Sequence, residues 1–437
     1  MRKTIVLGTT LILSQIPLQA HVLLQQRTWG GADRDGANGV AVASDGSVYV
    51  TGSTRSFGVG DDDAMLLKYA PNGTLMWQRT YGTAPDPLNS GEESGIDVAV
   101  APDNSGVVVL GNYRDGNIFL AKFDPAGLLL WDLTWGAATP QESADAITIA
   151  ANGTIYVTGF TSSFGAGQGD AFLLSFTSLG ALNWQKTWGG AGFDVPNGVA
   201  VASDGNIYIA GDTQFNANSA FLVKFAAADG SVIWQREWGL VGKNGVPGET
   251  QGTGVAAAPA GGAYVSGSST GAGADPNLLV ARFDADGNFV WQRVGGPGFG
   301  NTQDIAVGPD GSVHVTGSIL VQGSGGNAFV WTLLANGRGN DASVWGGSDP
   351  FEGENGQSIA TAPDGTILVA GSAGTDPYTF SRGSKNAKAA STFLATIVGT
   401  ITTPTRVPGG SAAVVQTPAG SETFAGVSDA FLLRVQP

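Results

Sequence analysis

The side chains best placed to do chemistry are carboxylates and amides, because the chain has no cysteine and only two histidines, His21 and His314. With no thiol, and with His314 standing where comparable segments carry Tyr49, Tyr156 and Tyr208, the nucleophile–base pairs of serine and cysteine hydrolases are missing. Two sets of oxygen-bearing side chains remain. The first recurs just before an apolar residue: Asp97, Asp145 and Asp304, with Asn38, Asn197, Gln303 and Gln357 in comparable places. Gathered into one ring, such groups would suit Ca²⁺, which takes about 6–8 oxygens; a water-filled polar lining is the alternative. The second set lies in acidic loops of unequal length and comprises Asp61, Asp62, Glu92, Glu93, Asp349, Glu352 and Glu354. It would offer a negative face to a protein or glycan partner; the plain alternative is that these acids keep the chain soluble. Paired carboxylates also serve glycoside chemistry. The acids are too many to single out a pair, so no catalytic residue is assigned and the balance is against an enzyme.

What must position these groups is a repeated unit, most plainly GVAVASDGSVYVTGS (residues 39–53) followed by DAMLLKYAPNGTLMWQRTYG (63–82). It reads as four strands: an apolar run, an Asp-Gly turn, a Tyr/Val strand, a loop, a third strand, a Pro-Asn-Gly turn, and a strand carrying tryptophan. Four-stranded units in series predict an all-β propeller of antiparallel blades. The first turn glycine recurs at Gly46, Gly106, Gly153, Gly205, Gly261, Gly311, Gly365 and Gly420, which favours eight blades. The eighth copy rests on AVVQTPAGSETFAG (413–426); in the last two copies 392–398 and 430–435 stand for the third strands and 401–410 for a fourth. Seven blades follow instead if 373–428 are an insertion; this region begins with an irregular stretch at about 373–390. The segment VLLQQRTWGG (22–31) is a lone fourth strand and AFLLRV near the end a third, so pairing them would close the ring without a free edge.

The unit resembles the bacterial propeller-repeat family called SBBP, with its GVAVDxDGNIYVTG half and its DAFLxKYDPNGxLxWxxxxGG half, over nearly all of residues 22–437. The resemblance implies an exported or surface propeller and brings no defined ligand; the family's name implies seven blades. FDPAGLLLWDLTWG (123–136) also resembles the tryptophan-docking motif of quinoprotein dehydrogenases. That likeness keeps a calcium- or quinone-dependent enzyme using the axial mouth as the second reading. The cysteine pair many of those enzymes place against the quinone cannot exist here, and the motif itself implies blade packing. Packing is also the reading of both tryptophan rows, Trp77, Trp131, Trp184, Trp234 and Trp291, and Trp29, Trp135, Trp188, Trp238 and Trp345.

Met1, Arg2 and Lys3 precede an apolar run that ends in Leu18-Gln19-Ala20, the pattern of a signal peptide cut before His21. One propeller domain over 21–437 would then follow, exported to the periplasm, the cell surface or the medium. Removal of residues 1–20 takes away two bases and no acid, leaving 19 basic against 36 acidic residues, a formal charge of −17. That charge excludes nucleic acid and anionic lipid as partners by attraction, and no later segment is apolar enough to insert in a membrane.

Overall fold

In the computed structural model, residues 21–436 are described apart from 60, 84–90, 138–140, 214–218, 240–248, 270–276, 321–325, 340 and 347–352. Within 374–428 only 379–383, 390–391, 405–406 and 413–417 are described. Helical sequence signals are absent, and strands are what the chain forms. β1 (Val22–Trp29) is followed by β2 (Asp35–Val42), β3 (Val48–Thr54), β4 (Asp63–Tyr69) and β5 (Leu75–Gly82). The sheet order β2-β3-β4-β5 makes the first blade of a propeller.

Each blade repeats the same local physics. Asp45 Oδ1 accepts the Ser47 N–H at 2.8 Å while Gly46 takes φ +81°, and Asp204 and Gly205 (φ +83°) do the same in the fourth copy. This is why Asp-Gly is read as a turn: the carboxylate fixes the backbone and glycine supplies the left-handed conformation. Second and third strands are buried along nearly their whole length, because each blade is covered by its neighbours on both faces. The tryptophans fill the gaps between blades. Trp77, Trp184, Trp234 and Trp291 stack on Tyr49, Tyr156, Tyr208 and Tyr264 with centroids 5.7–6.0 Å apart. The Nε1–H of Trp77, Trp184 and Trp234 reaches a carbonyl in the next blade's third turn, on Pro125, Ala227 and Ala285. In the second row Trp135 and Trp188 donate to Gln185 and Gln235 of the following blade. Both rows are packing, as expected from the repeat.

The blade count is seven, not eight. Further blades occupy 93–135, 142–188 and 194–238; the next two are joined by one 19-residue strand, Phe289–Val307, whose first part ends one blade and whose second part begins the next. The seventh consists of Asn355–Thr361, Ile367–Ala373, Asp429–Gln436 and β1. Ring closure by β1 on the last blade is therefore as the sequence suggested, with Val22 opposite Gln436 and Trp29 opposite Ala430. The expected eighth copy fails because its first strand pairs elsewhere: Ala413–Thr417 lies along β5 at the rim of blade 1, while Thr379–Gly383, from the irregular stretch, lies along Asp341–Gly346 at the rim of blade 6. Residues 374–428 are thus inserted between the second and third strands of blade 7. The segment 392–398 and Gly420 lie outside the described residues, as do 1–20; of 401–410 only Thr405–Arg406 is described, as a short strand. No helix among the described residues is long and apolar enough to cross a membrane.

Candidate functional site

The first strand of each blade lines the axis, and each carries a bulge at the same height. The pairing with the second strand skips Asn38, Ile96, Asp145, Asn197, Thr253, Gln303 and Gln357 in blades 1 to 7. A bulge inserts one unpaired residue and re-aims its side chain. The glycine opposite is obligatory: a Cβ on Gly52 or Gly211 would run into the carbonyl of Gly36 or Val195. All seven skipped residues line a cavity of about 730 Å³ at the loop-side mouth of the axis, which is within the usual size range of small-molecule sites. The opposite mouth, about 550 Å³, is ringed by Ala43, Pro102, Pro259, Pro309 and Pro363 and offers few polar groups.

Asp97, Asp145, Asp304, Asn38, Asn197, Gln303 and Gln357 therefore do meet in one ring, but they divide into two jobs. Most hold one blade to the next. Asn38 Nδ2–H donates to Gly95 O at 2.8 Å and Asn197 Nδ2–H to Gly252 O at 2.7 Å. Thr253 Oγ1 shares a 2.7 Å hydrogen bond with Thr302 Oγ1. Asp97 and Asp304, one residue beyond the bulge, accept from Ile147 N–H at 3.0 Å and Ile359 N–H at 2.9 Å, and Ser358 Oγ accepts from Val40 N–H at 3.3 Å. Those six contacts fasten six of the seven blade junctions. Asp97 and Asp304 also accept from their own neighbours Val98 and Ile305, so their oxygens are engaged by N–H groups. Among the described residues no group of three or more histidine, cysteine, aspartate or glutamate side chains has the geometry to hold a metal ion, and the oxygens of Asp97 and Asp304 are taken by N–H groups, so the ring offers no ready carboxylate cage for Ca²⁺.

The junction between blades 3 and 4 is different. Asp145 occupies the bulge, where blades 1 and 4 have asparagine, but its Oδ2 is shut away from water and accepts no hydrogen bond. By the repeat's register the group awaiting it is a backbone carbonyl, that of Pro196, matching Gly95 and Gly252; a carboxylate has no hydrogen to give it. Burial pushes the Asp145 carboxyl well above the usual range, and Asp212 adds to the effect. Asp212 is itself raised by burial, against the hydrogen bond it accepts from Asn197 Nδ2 at 3.0 Å. Asp97 is pushed up to about 7, by burial and secondarily by Asp304, with two backbone N–H bonds opposing. Burial likewise raises Asp304 against its N–H bonds. No lysine or arginine is among the described residues that line the cavity. Asp145→Asn is expected to complete the missing junction and raise the thermal midpoint, by about 1–2 kcal/mol for one satisfied hydrogen bond and one buried carboxyl removed. A raised folded-state pKa gives stability that is present in acid and lost as pH rises, so the variant's advantage should grow from pH 4 toward neutrality. Paired melts across that range check it.

Glutamines Gln303 and Gln357 line the same cavity, and neither has a protein partner among the described residues. Sequence reading missed Asp212, Thr253 and Ser358. The signal for Asp212 was there: it follows the strand-two glycine, where four other copies have serine at Ser53, Ser268, Ser318 and Ser372.

The acidic loop face is less acidic than its composition. Glu93 and Glu354, read as loop acids, are buried at the openings of first strands, where chain and core meet. Glu93 accepts from the hydroxyl and N–H of Thr83 at 2.6 and 3.2 Å, and Asp35 holds Gly31 N–H at 2.7 Å and Ser56 Oγ at 2.7 Å. Glu142 and Asp194 repeat the device, tying the connection between blades to the core. Burial raises both Asp35 and Glu93. Asp62 is bidentate with Arg55 at 2.7 and 2.8 Å, and Glu92 pairs with Arg114. Asp61 is exposed, whereas Asp349 and Glu352 lie outside the described residues. Asp63 and Asp170, at the same place in their blades, cap loop N–H groups of Val59 and Ala166.

Fold and site together define a seven-bladed β-propeller with a polar, carboxyl-rich axial mouth. No family model and no curated protein matches the chain. Solved structures of similar shape include the hydrazine synthase of Kuenenia stuttgartiensis, 14% identical, covering 80% of this chain and 97% of that one at a TM-score of 0.53. Others are the quinohemoprotein alcohol dehydrogenase of Comamonas testosteroni (12% identical, 94% and 78% covered, TM-score 0.46) and the periplasmic gluconolactonase of Pseudomonas aeruginosa (17%, 63% and 78%, 0.40). At such identities the likeness extends to the fold alone.

Proposed function

We propose that this chain is an exported ligand-binding propeller whose ligand enters the polar axial mouth. One observation carries the reading: Asp145, Gln303 and Gln357, the ring members that fasten no blade, converge on one cavity of small-molecule size. Binding on the acidic rim is the weaker form of the idea, because Glu93 and Glu354 point inward and Asp62 and Glu92 are ion-paired. The mouth is tested by the double variant Gln303→Ala/Gln357→Ala, which removes no described contact and should melt like the parent. Screening both proteins by thermal shift against sugars, amines, organic acids and divalent cations should find a ligand that stabilises the parent by mass action. The double variant should bind it at least tenfold more weakly, about 1.4 kcal/mol. A ligand retained equally by both would move the site elsewhere.

Catalysis in the same mouth is the second reading, and Asp145 with Asp212 favours it: two neighbouring carboxyls that burial raises above the usual carboxylate range are the kind of pair from which a general acid is drawn. A quinone cofactor of the pyrroloquinoline type, itself a polycarboxylate, does not fit walls whose described residues include four aspartates, no basic residue and no aromatic ring. Turnover of a mouth ligand that disappears in Asp145→Asn, with binding kept, would establish this reading over simple binding.

A further inference from the structure

We infer that the axial mouth takes a small organic cation, its ammonium or guanidinium group seated against Asp145 and Asp212; this deepens the binding reading above and rests on it. Three independent features of the wall lead there. First, Asp145 breaks a rule the other junctions keep. Six blade junctions carry a hydrogen bond at this height, and asparagine does the work at two of them. Aspartate at the seventh leaves an oxygen that accepts nothing and is shut away from water, an arrangement that weakens the fold. Residues that break a repeat's own rule at the expense of stability are where function is expected.

Second, Asp212 breaks its own column beside Asp145. Asp212 Oδ1 is engaged by Asn197, which itself holds the carbonyl of Gly252, so this carboxyl is fixed in orientation rather than free to turn to solvent. Third, among the described residues that line it, the charge in the cavity is all of one sign. Asp97, Asp145, Asp212 and Asp304 line it, and the remaining polar lining is amide and hydroxyl, with Gln303 and Gln357 free to receive N–H donors. A cation relieves that imbalance, and in a walled cavity its attraction to carboxylate is far less screened than in water. For an inorganic divalent ion the described residues offer no group of three or more clustered carboxylates, and the oxygens of Asp97 and Asp304 are already taken by N–H groups. An organic cation needs only one or two acceptors for its N–H bonds and fills space with its carbon chain. An anionic ligand is excluded by the same four aspartates, and a neutral polyol would leave Asp145 and Asp212 without a counter-charge.

The test uses the full chain with 1,4-diaminobutane and 4-guanidinobutylamine as cations, sorbitol as a neutral polyol, gluconate as an anion, and CaCl₂. Thermal shift and calorimetry are run on the parent, Asp145→Asn, and Gln303→Ala/Gln357→Ala. The expected result is that a cation raises the parent's midpoint and binds Asp145→Asn at least tenfold more weakly, although that variant is the more stable protein without ligand. A purely structural Asp145 would not separate these two readouts. If Asp145→Asn fails to fold, Asp145→Thr serves, since threonine stands at the same bulge in blade 5. Cations that leave the midpoint unmoved at millimolar concentration, or that bind Asp145→Asn as they bind the parent, overturn the inference. Should sorbitol or gluconate bind instead and be lost in the double glutamine variant, the mouth stands as the site and its ligand class changes. Should that variant bind every ligand like the parent, the site itself falls.

Discussion

A chain that lacks Val22–Trp29 is expected not to fold to a stable propeller, and moving the same residues to the other end of the chain is expected to restore it. β1 supplies the outer strand of the seventh blade and covers the edge of Asp429–Gln436. It also brings three contacts between blades. Trp29 is buried and its Nε1–H donates to Gln78 at 2.7 Å, Arg27 Nε–H donates to Gly73 O at 3.0 Å, and Gln26 Oε1 accepts from Trp345 at 3.3 Å. Losing a buried tryptophan alone costs about 3–5 kcal/mol, and a domain's whole stability is about 5–15 kcal/mol. Removal of the entire strand therefore exceeds what the ring can absorb, and it leaves an open sheet edge. The truncated protein should lose near-ultraviolet circular dichroism and be cut rapidly by protease. In the permuted chain, residues 31–437 are followed by a short Gly/Ser linker and then residues 21–30, His21 being kept because its ring is hydrogen-bonded to Thr332 and Ser343. Because Val22 already faces Gln436, the linker has only to make the tight turn that every other blade makes between its third and fourth strands. A permuted chain that melted far below the parent would show that β1 does more than close the sheet; a stable truncated chain would show that it does less.

The fold was legible where the repeat is local and illegible where it is not. Gly46, Gly205 and the tryptophan rows announce turns and packing through their own spacing, and their structure follows from it. Residues 413–426 carry the same local turn chemistry, so they read as one more blade. What decides otherwise is a pairing partner more than three hundred residues away, Ala413 opposite Gly82, and no local pattern encodes that. The site shows the same limit at finer scale. Asp97 and Asp145 look alike in sequence, each just before an apolar residue. The bulge falls on Asp145 and one residue ahead of Asp97, so the first carboxyl is left without a partner and the second binds two backbone N–H groups. A one-residue offset changes what a strand side chain faces. Glu93 and Glu354 were lost to the opposite error: they sit in acidic runs, yet Glu93 opens a first strand and Glu354 immediately precedes one, and both are buried.

The second large effect is a loss of stability in mild acid centred on blade 6. There the repeat's tyrosine is His314, and its usual lysine or arginine, as in Lys68 and Arg282, is Thr332. The side chain of His21 reaches the same space, and the result is a buried chain of hydrogen bonds. Ser312 Oγ–H donates to Asp310 at 2.5 Å, so Ser312 must accept from His314 Nε2–H at 2.8 Å. That leaves His314 Nδ1 to accept the Thr332 hydroxyl at 2.8 Å, and Thr332 in turn accepts from His21 Nε2–H at 2.7 Å. The tautomers follow from the network, and every member is used with both rings neutral. A second proton on His314 would set two donors against each other at Thr332. Its pKa is lowered to about 3, chiefly by burial and secondarily by His21, with Asp310 opposing. The sign follows directly: a histidine depressed in the folded state gives stability that is complete above its unfolded value of about 6.5 and is lost as pH falls. Between pH 7 and pH 5 the loss from this one group should be about 2 kcal/mol, at 1.36 kcal/mol per pH unit below 6.5. Asp97 runs the other way, since its raised pKa gives stability that is lost as pH rises through about 7. The two are separated by His314→Gln, which keeps one donor and one acceptor and cannot take a proton. Its difference in unfolding free energy from the parent cancels the aspartates, and should shift in its favour by about 2 kcal/mol from pH 7 to pH 5. A difference that stays flat across that interval would mean that His314 titrates as freely in the fold as out of it, and the buried chain of hydrogen bonds would not exist in solution.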